Sequence, residues 1–199
     1  GEATITDSVV SYNDSTADYG GVGGGITVGG RATIVNTTVQ GNVARGGMDY
    51  GGFGGGIAVG GTATISGSSI AGNSATSGGE YGPGAPFDGP GLGGGVFVSS
   101  SGVAFITNTT ISGNDANRGG GVLNSGEVTI VNSTVTGNAG RRDTDTYNGY
   151  VDTQPGRGGG LYSGYPACGL TTLRNTIIAG NTAADGGPEA MIVPQADCT

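Results

Sequence analysis

A chain of 199 residues that spends 47 of them on glycine, carries 6% aromatics and has no tryptophan cannot fill the bulky centre of an ordinary globular domain. Its net charge is −8 and all seven cations are arginines, which argues against a basic patch for nucleic acid or for an anionic membrane surface. The absence of histidine excludes Ser/His and Cys/His nucleophiles, and no apolar run is long enough to span a bilayer.

The predicted elements repeat. Ala3-Thr4-Ile5 opens the chain and leads at a fixed distance to Asn13; Gly23-Gly24-Gly25-Ile26 follows. The same phrase returns as Ala32-Thr33-Ile34 to Asn42 and as Ala63-Thr64-Ile65 to Asn73. It then recurs as Ala104-Phe105-Ile106 to Asn114, Val128-Thr129-Ile130 to Asn138 and Thr171-Thr172-Leu173 to Asn181. Glycine runs close the units at Gly54-Gly55-Gly56-Ile57, Gly93-Gly94-Gly95-Val96, Gly119-Gly120-Gly121-Val122 and Gly158-Gly159-Gly160-Leu161. A unit this short, alternating with period two and lacking a helical period, predicts an all-β solenoid whose coils stack along one axis. The shortest unit, Asn114 to Asn138, suits three short strands per coil, and about six coils at roughly 4.8 Å each make a rod of about 25–30 Å. The prediction is one domain over 1–199, with the tail 182–199 packed on the last coil.

Period-two alternation sends Ile34, Ile65, Ile106 and Ile130 inward and Thr33, Thr64, Phe105 and Thr129 outward. Val39, Ile70, Ile111, Val135 and Ile178 form a second inward stack, and the aliphatics after the glycine runs a third. The Gly-Asn pairs mark sharp turns, where stacked Asn amides bond to the coils above and below. Asn36, Asn108, Asn132 and Asn175 form a second Asn column. Three of these match the glycosylation acceptor pattern, yet a repeated structural position explains the match without glycans. Cys168 and Cys198 both fall in the last coil and tail, where a disulfide would pin the open end; two buried free thiols are the other reading. No signal peptide precedes Gly1 and the chain opens at once on a repeat, which reads as a mature or excised segment.

The pattern in Gly119-Gly120-Gly121-Val122 and Thr110-Ile111-Ser112-Gly113-Asn114 resembles the right-handed parallel β-helix repeats of bacterial polymorphic outer-membrane proteins and of secreted, adhesin-like surface β-helix proteins. The resemblance implies a right-handed single-stranded β-helix at a cell surface or outside the cell. It carries little about activity, since such helices serve as adhesins, surface fibres, polysaccharide lyases and hydrolases.

Candidate function falls on the insertions at 14–22, 43–53, 74–92 and 139–157, all predicted at one corner, between the Gly-Asn turn and the glycine run. Tyr50, Tyr81, Arg141, Asp143, Asp145, Tyr147 and Tyr150 are the candidate ligand-binding residues there, because tyrosine rings beside Arg and Asp suit sugar rings and hydroxyls. The alternative is that the tyrosines only fold the loops onto the wall. Asp143, Asp145 and Asp152 offer oxygen ligands for calcium, with an Asp-x-Asp start that departs from a full calcium loop at Tyr147 and Gln154. No catalytic residue is predicted. The expected function is an extracellular structural or adhesive module contacting surface glycans or further copies of itself. A carbohydrate-active enzyme is the rival, and it would require loop carboxylates such as Asp88 and Asp145 to converge.

Overall fold

The computed structural model of the chain describes residues 1–17, 20–47, 50–77, 89–147, 150–164 and 169–192. Over these residues it is a right-handed parallel β-helix of six coils. Four parallel six-stranded sheets form its walls. Wall one stacks Glu2–Thr6, Arg31–Val35, Thr62–Ser66, Val103–Thr107, Glu127–Val131 and Leu170–Arg174. Wall two stacks Val9–Ser11, Thr38–Gln40, Ser69–Ala71, Thr110–Ser112, Thr134–Thr136 and Ile177–Ala179. Wall four stacks Ile26–Val28, Ile57–Val59, Val96–Val98, Val122–Asn124, Leu161–Ser163 and Ala190–Ile192.

Wall three corrects the predicted three strands per coil to four. It is built from Asp14–Thr16, Val43–Arg45, Ser74–Ala75, Asp115–Ala116, Ala139–Gly140 and Thr182–Ala183, which begin immediately after each ladder Asn. These segments are two or three residues long, and their inward residues are small: Ser15, Ala44, Ala75, Ala116, Gly140 and Ala183. The insertions therefore start only after this wall.

The inward columns are in register. Ile34, Ile65, Ile106 and Ile130 pair coil to coil in wall one, as do Val39, Ile70, Ile111 and Val135 in wall two. All eight are fully buried, and with the wall-four aliphatics they make one continuous core. Thr33, Thr64, Phe105 and Thr129 share a register position on the outer face of wall one, and Phe105 is exposed there.

Two polar ladders run beside this core. In the first, the Asn13 side-chain amide donates to Asn42 Oδ1 at 2.8 Å, Asn42 to Asn73 at 3.0 Å, and Asn73, Asn114 and Asn138 each to the next Asn at 2.9 Å. Each acceptor oxygen also takes the backbone N–H of the preceding Asn, so the ladder has a direction. The Asn42, Asn73, Asn114, Asn138 and Asn181 amides also donate backward to the Val10, Val39, Ile70, Ile111 and Val135 carbonyls, so both amide hydrogens of these buried residues are used. The left-handed backbone of this turn belongs to the preceding glycine (Gly41, Gly72, Gly113, Gly137 and Gly180), with Tyr12 in its place in the first coil.

The second ladder is made of hydroxyls. Asn36, Asn108, Asn132 and Asn175 are exposed and left-handed, and the residue after each turns its hydroxyl inward. The Thr37, Ser68 and Thr109 N–H groups donate to Ser68, Thr109 and Ser133 oxygens at 3.1, 3.4 and 3.1 Å. Each of these hydroxyls also donates to a carbonyl two residues back. The Asn-Thr-Thr pattern thus follows from structure: Asn for the turn, a buried hydroxyl, then an outward Thr. Among the described residues the Asn column bonds from Asn36 to Asp7 and from Asn175 to Asn132, and Gly67 interrupts it in the third coil.

Candidate functional site

The insertions leave between wall three and wall four. After each one a single-residue bridge (Val22, Phe53, Leu92, Arg118, Arg157, Gly186) rejoins the parallel stack just before the glycine run. The chain also lengthens at the corner between Ser163 and Leu170, so the insertions are not confined to one corner as the sequence predicts.

The outer face of wall four is not free. Phe97, Leu123, Tyr162 and Met191 share one register position on it. With Leu92 and Phe53 they form a second apolar cluster, in which Phe53 and Phe97 lie 5.2 Å apart with tilted rings. Leu123 and Tyr162 are buried outside the coil interior. Phe53 and Leu92, entering from the loop side, thus fasten the insertion corner to the rod here, and Phe53 folds back onto the wall. Period-two reading of Phe97, Leu123 and Tyr162, outward yet apolar, is the sequence signal for this cover.

Charged residues gather on the outer face of wall three, at the base of the insertions. Arg45 Nε lies 2.7 Å from Asp14 Oδ2, and Arg141 lies 3.3 Å from Asp115. Asp115 also accepts from Ser74 Oγ at 3.0 Å. Arg142 grips Asp185 with two donors, and the same carboxylate takes the Gly156 N–H at 2.8 Å. The candidate Arg141 is therefore an ion-pair partner tying the insertion to the wall. The acids at wall positions directly after a ladder Asn, Asp14 and Asp115, are the residues that the sequence reading did not assign. Exposed pairs of this kind contribute little, and Arg45→Ala is expected to move stability by no more than about 1 kcal/mol. The urea midpoint measures it.

The long insertion after wall three in the fifth coil carries an antiparallel hairpin, Asp143–Tyr147 with Tyr150–Gln154. Its register pairs Asp143 with Gln154, Asp145 with Asp152 and Tyr147 with Tyr150. Five candidate residues, Asp143, Asp145, Tyr147, Tyr150 and Asp152, thus occupy the same alternating positions of one two-stranded ribbon. Tyr50 sits elsewhere, exposed at the second-coil insertion, where its carbonyl accepts the Gly47 N–H at 2.9 Å. Tyr81, Cys168, Cys198 and Asp88 lie outside the described residues. Among the described residues no group of three His, Cys, Asp or Glu side chains is placed to hold a metal ion.

A surface depression of about 460 Å³ lies at the corner between walls one and two, away from the insertions. Asn132, Ser133, Thr134, Asn175, Thr176 and Ile177 line it. These are residues of the turn repeat itself, and none carries a charge. Among the described residues no helix is long and apolar enough to cross a membrane. Comparison with protein-family models, with curated proteins and with solved structures gives no significant match.

Proposed function

We propose that the chain is an extracellular structural or adhesive module, a stiff β-solenoid rod that holds its insertion corner out for contact with surface glycans. The observation that carries this reading is the division of labour along each coil. Walls one, two and four keep their residues in register over six coils, while length and composition vary almost entirely between wall three and the glycine run. Variation confined to loops on an invariant scaffold is how contact surfaces are built. The hairpin supports a glycan as the partner, since its register brings Tyr147, Tyr150 and three aspartates onto one ribbon. The likeness to secreted and outer-membrane surface repeats supports placing the rod outside the cell.

The test is retention of the intact chain on a panel of immobilised polysaccharides, with calcium and with a chelator, following polymer length in parallel. Retention without shortening is the expected result, weakened when the hairpin 143–154 is replaced by a short Gly-Asn turn. Shortened polymer would overturn the reading in favour of a carbohydrate-active enzyme. Absence of retention on every polymer would remove the glycan and leave self-association as the contact to measure.

A further inference from the structure

The asparagine ladder needs an acceptor at every step, because each Asn donates its backbone N–H and its side-chain amide to the Oδ1 of the next coil. Asn181 is the last Asn of the ladder among the described residues, and it is not left waiting. Its side-chain amide donates to Glu189 Oε2 at 2.9 Å, and its backbone N–H donates to the same oxygen at 3.3 Å. The other carboxylate oxygen takes the Gly180 N–H at 3.1 Å. In the inner coils the equivalent glycine N–H donates to a carbonyl of the following coil, as Gly41 does to Ala71 and Gly72 to Ser112. One carboxylate therefore substitutes for two acceptors that a further coil would supply.

The register explains why Glu189 reaches this spot. The Leu161 N–H donates to the Glu189 carbonyl just as Val122 donates to Gly160 and Val96 to Gly121. Glu189 is thus the third residue of a sixth run, Gly187-Pro188-Glu189-Ala190, and Gly187 has the left-handed backbone of the first glycine in every earlier run. At this third position the other coils have glycine for a steric reason. A Cβ on Gly56, Gly95, Gly121 or Gly160 would press to 2.8–3.0 Å on the ladder amide of the following coil. A side chain is tolerated there only where no following Asn occupies the slot, and in the sixth coil the side chain is one that completes the ladder.

We propose that Glu189 is a terminator that closes the ladder, so that neither a later segment nor a second copy of this chain can add a coil through Asn181 while the carboxylate is in place. This is independent of what the insertions bind. The experiment compares Glu189→Gly, which restores the glycine of the repeat, with Glu189→Gln, which keeps one acceptor oxygen. Amide exchange is followed by NMR, and sedimentation velocity is recorded over a concentration series. In Glu189→Gly, exchange at Gly180 and Asn181 is expected to accelerate by about tenfold or more, the effect of losing charge-assisted hydrogen bonds, while Asn114 is unchanged. Larger species are expected to appear as concentration rises. Glu189→Gln is expected to sediment as the parent does. Glu189→Lys, which places a donor against donors, must loosen the same two amides, so the inference remains testable if Glu189→Gly does not fold. Unchanged exchange at Gly180 and Asn181 in both Gly and Lys variants, or sedimentation of a folded Glu189→Gly identical to the parent at every concentration, would overturn it.

Discussion

Ile111→Asp is expected to unfold the middle of the rod. Ile111 is fully buried in wall two, stacked between Ile70 and Val135 in a core column that runs through every coil. The substitution removes a well-packed aliphatic group and puts a carboxylate where the near neighbours are hydrocarbon and the ladder amides are already committed. Burial of an uncompensated charge costs at least about 4–5 kcal/mol, a large share of the total stability of an ordinary domain. In a solenoid each coil leans on its neighbours, so a failed fourth coil also strips one face from the third and the fifth. The expected observation is loss of the β signal in circular dichroism at room temperature. The same change at Ile178, half-buried in the last coil, is expected to cost less. A folded Ile111→Asp with an unshifted thermal midpoint would refute the inward assignment of wall two.

Asn114→Ala is expected to produce the second-largest loss. Asn114 accepts two hydrogen bonds from Asn73, through the backbone N–H and the side-chain amide, both at 2.9 Å. It donates to the Ile70 carbonyl and to Asn138, also at 2.9 Å. Alanine leaves the Asn73 backbone N–H without its acceptor in a space closed to solvent, takes one partner from the Asn73 amide and leaves a small void. Each buried group left unsatisfied costs about 1–3 kcal/mol, so a total of about 3–5 kcal/mol is expected. In a chain of this length that corresponds to a fall in Tm of roughly 10 °C. Asn114→Asp is not a conservative alternative: it keeps the acceptor, loses both donated bonds and introduces a buried charge. Asn108→Gly serves as the control, since Asn108 is exposed, takes the left-handed backbone that Gly67 takes at the equivalent turn, and belongs to neither buried ladder.

Much of this architecture is legible in the residues because side-chain character and position repeat together. Ile34, Ile65, Ile106 and Ile130 reveal an inward column, and Asn42, Asn73, Asn114 and Asn138 reveal a ladder, since in each case one residue type returns at one register. Wall three escapes for the opposite reason: Val43-Ala44-Arg45 and Asp115-Ala116 are too short to display alternation, and their inward positions are filled by small residues that read as turn. The sixth glycine run is hidden by the very substitution that makes it informative, Glu189 where glycine is the rule. The hydroxyl ladder of Thr37, Ser68, Thr109 and Ser133 is written beside the exposed Asn column, which draws attention first.

The candidate site divides along the same line. Asp143, Asp145, Asp152, Tyr147 and Tyr150 are brought onto one hairpin by a local antiparallel pairing that has no counterpart in the repeat. Tyr50 stays apart, and Arg141 turns out to face a wall aspartate that sequence separation conceals. Insertions vary without a period, so nothing in one coil predicts the next. Their placement is legible because the scaffold around them is, and their internal geometry is not.

Everything else in the molecule rests on a coil closed by four walls around a buried, directional asparagine ladder. Side-chain amide exchange measured by NMR on the folded chain tests it most directly. The amides of Asn42, Asn73, Asn114, Asn138 and Asn181 are expected to exchange slowly, and those of Asn36, Asn108 and Asn132 at rates near those of exposed amides. Uniformly fast exchange across both sets would contradict it.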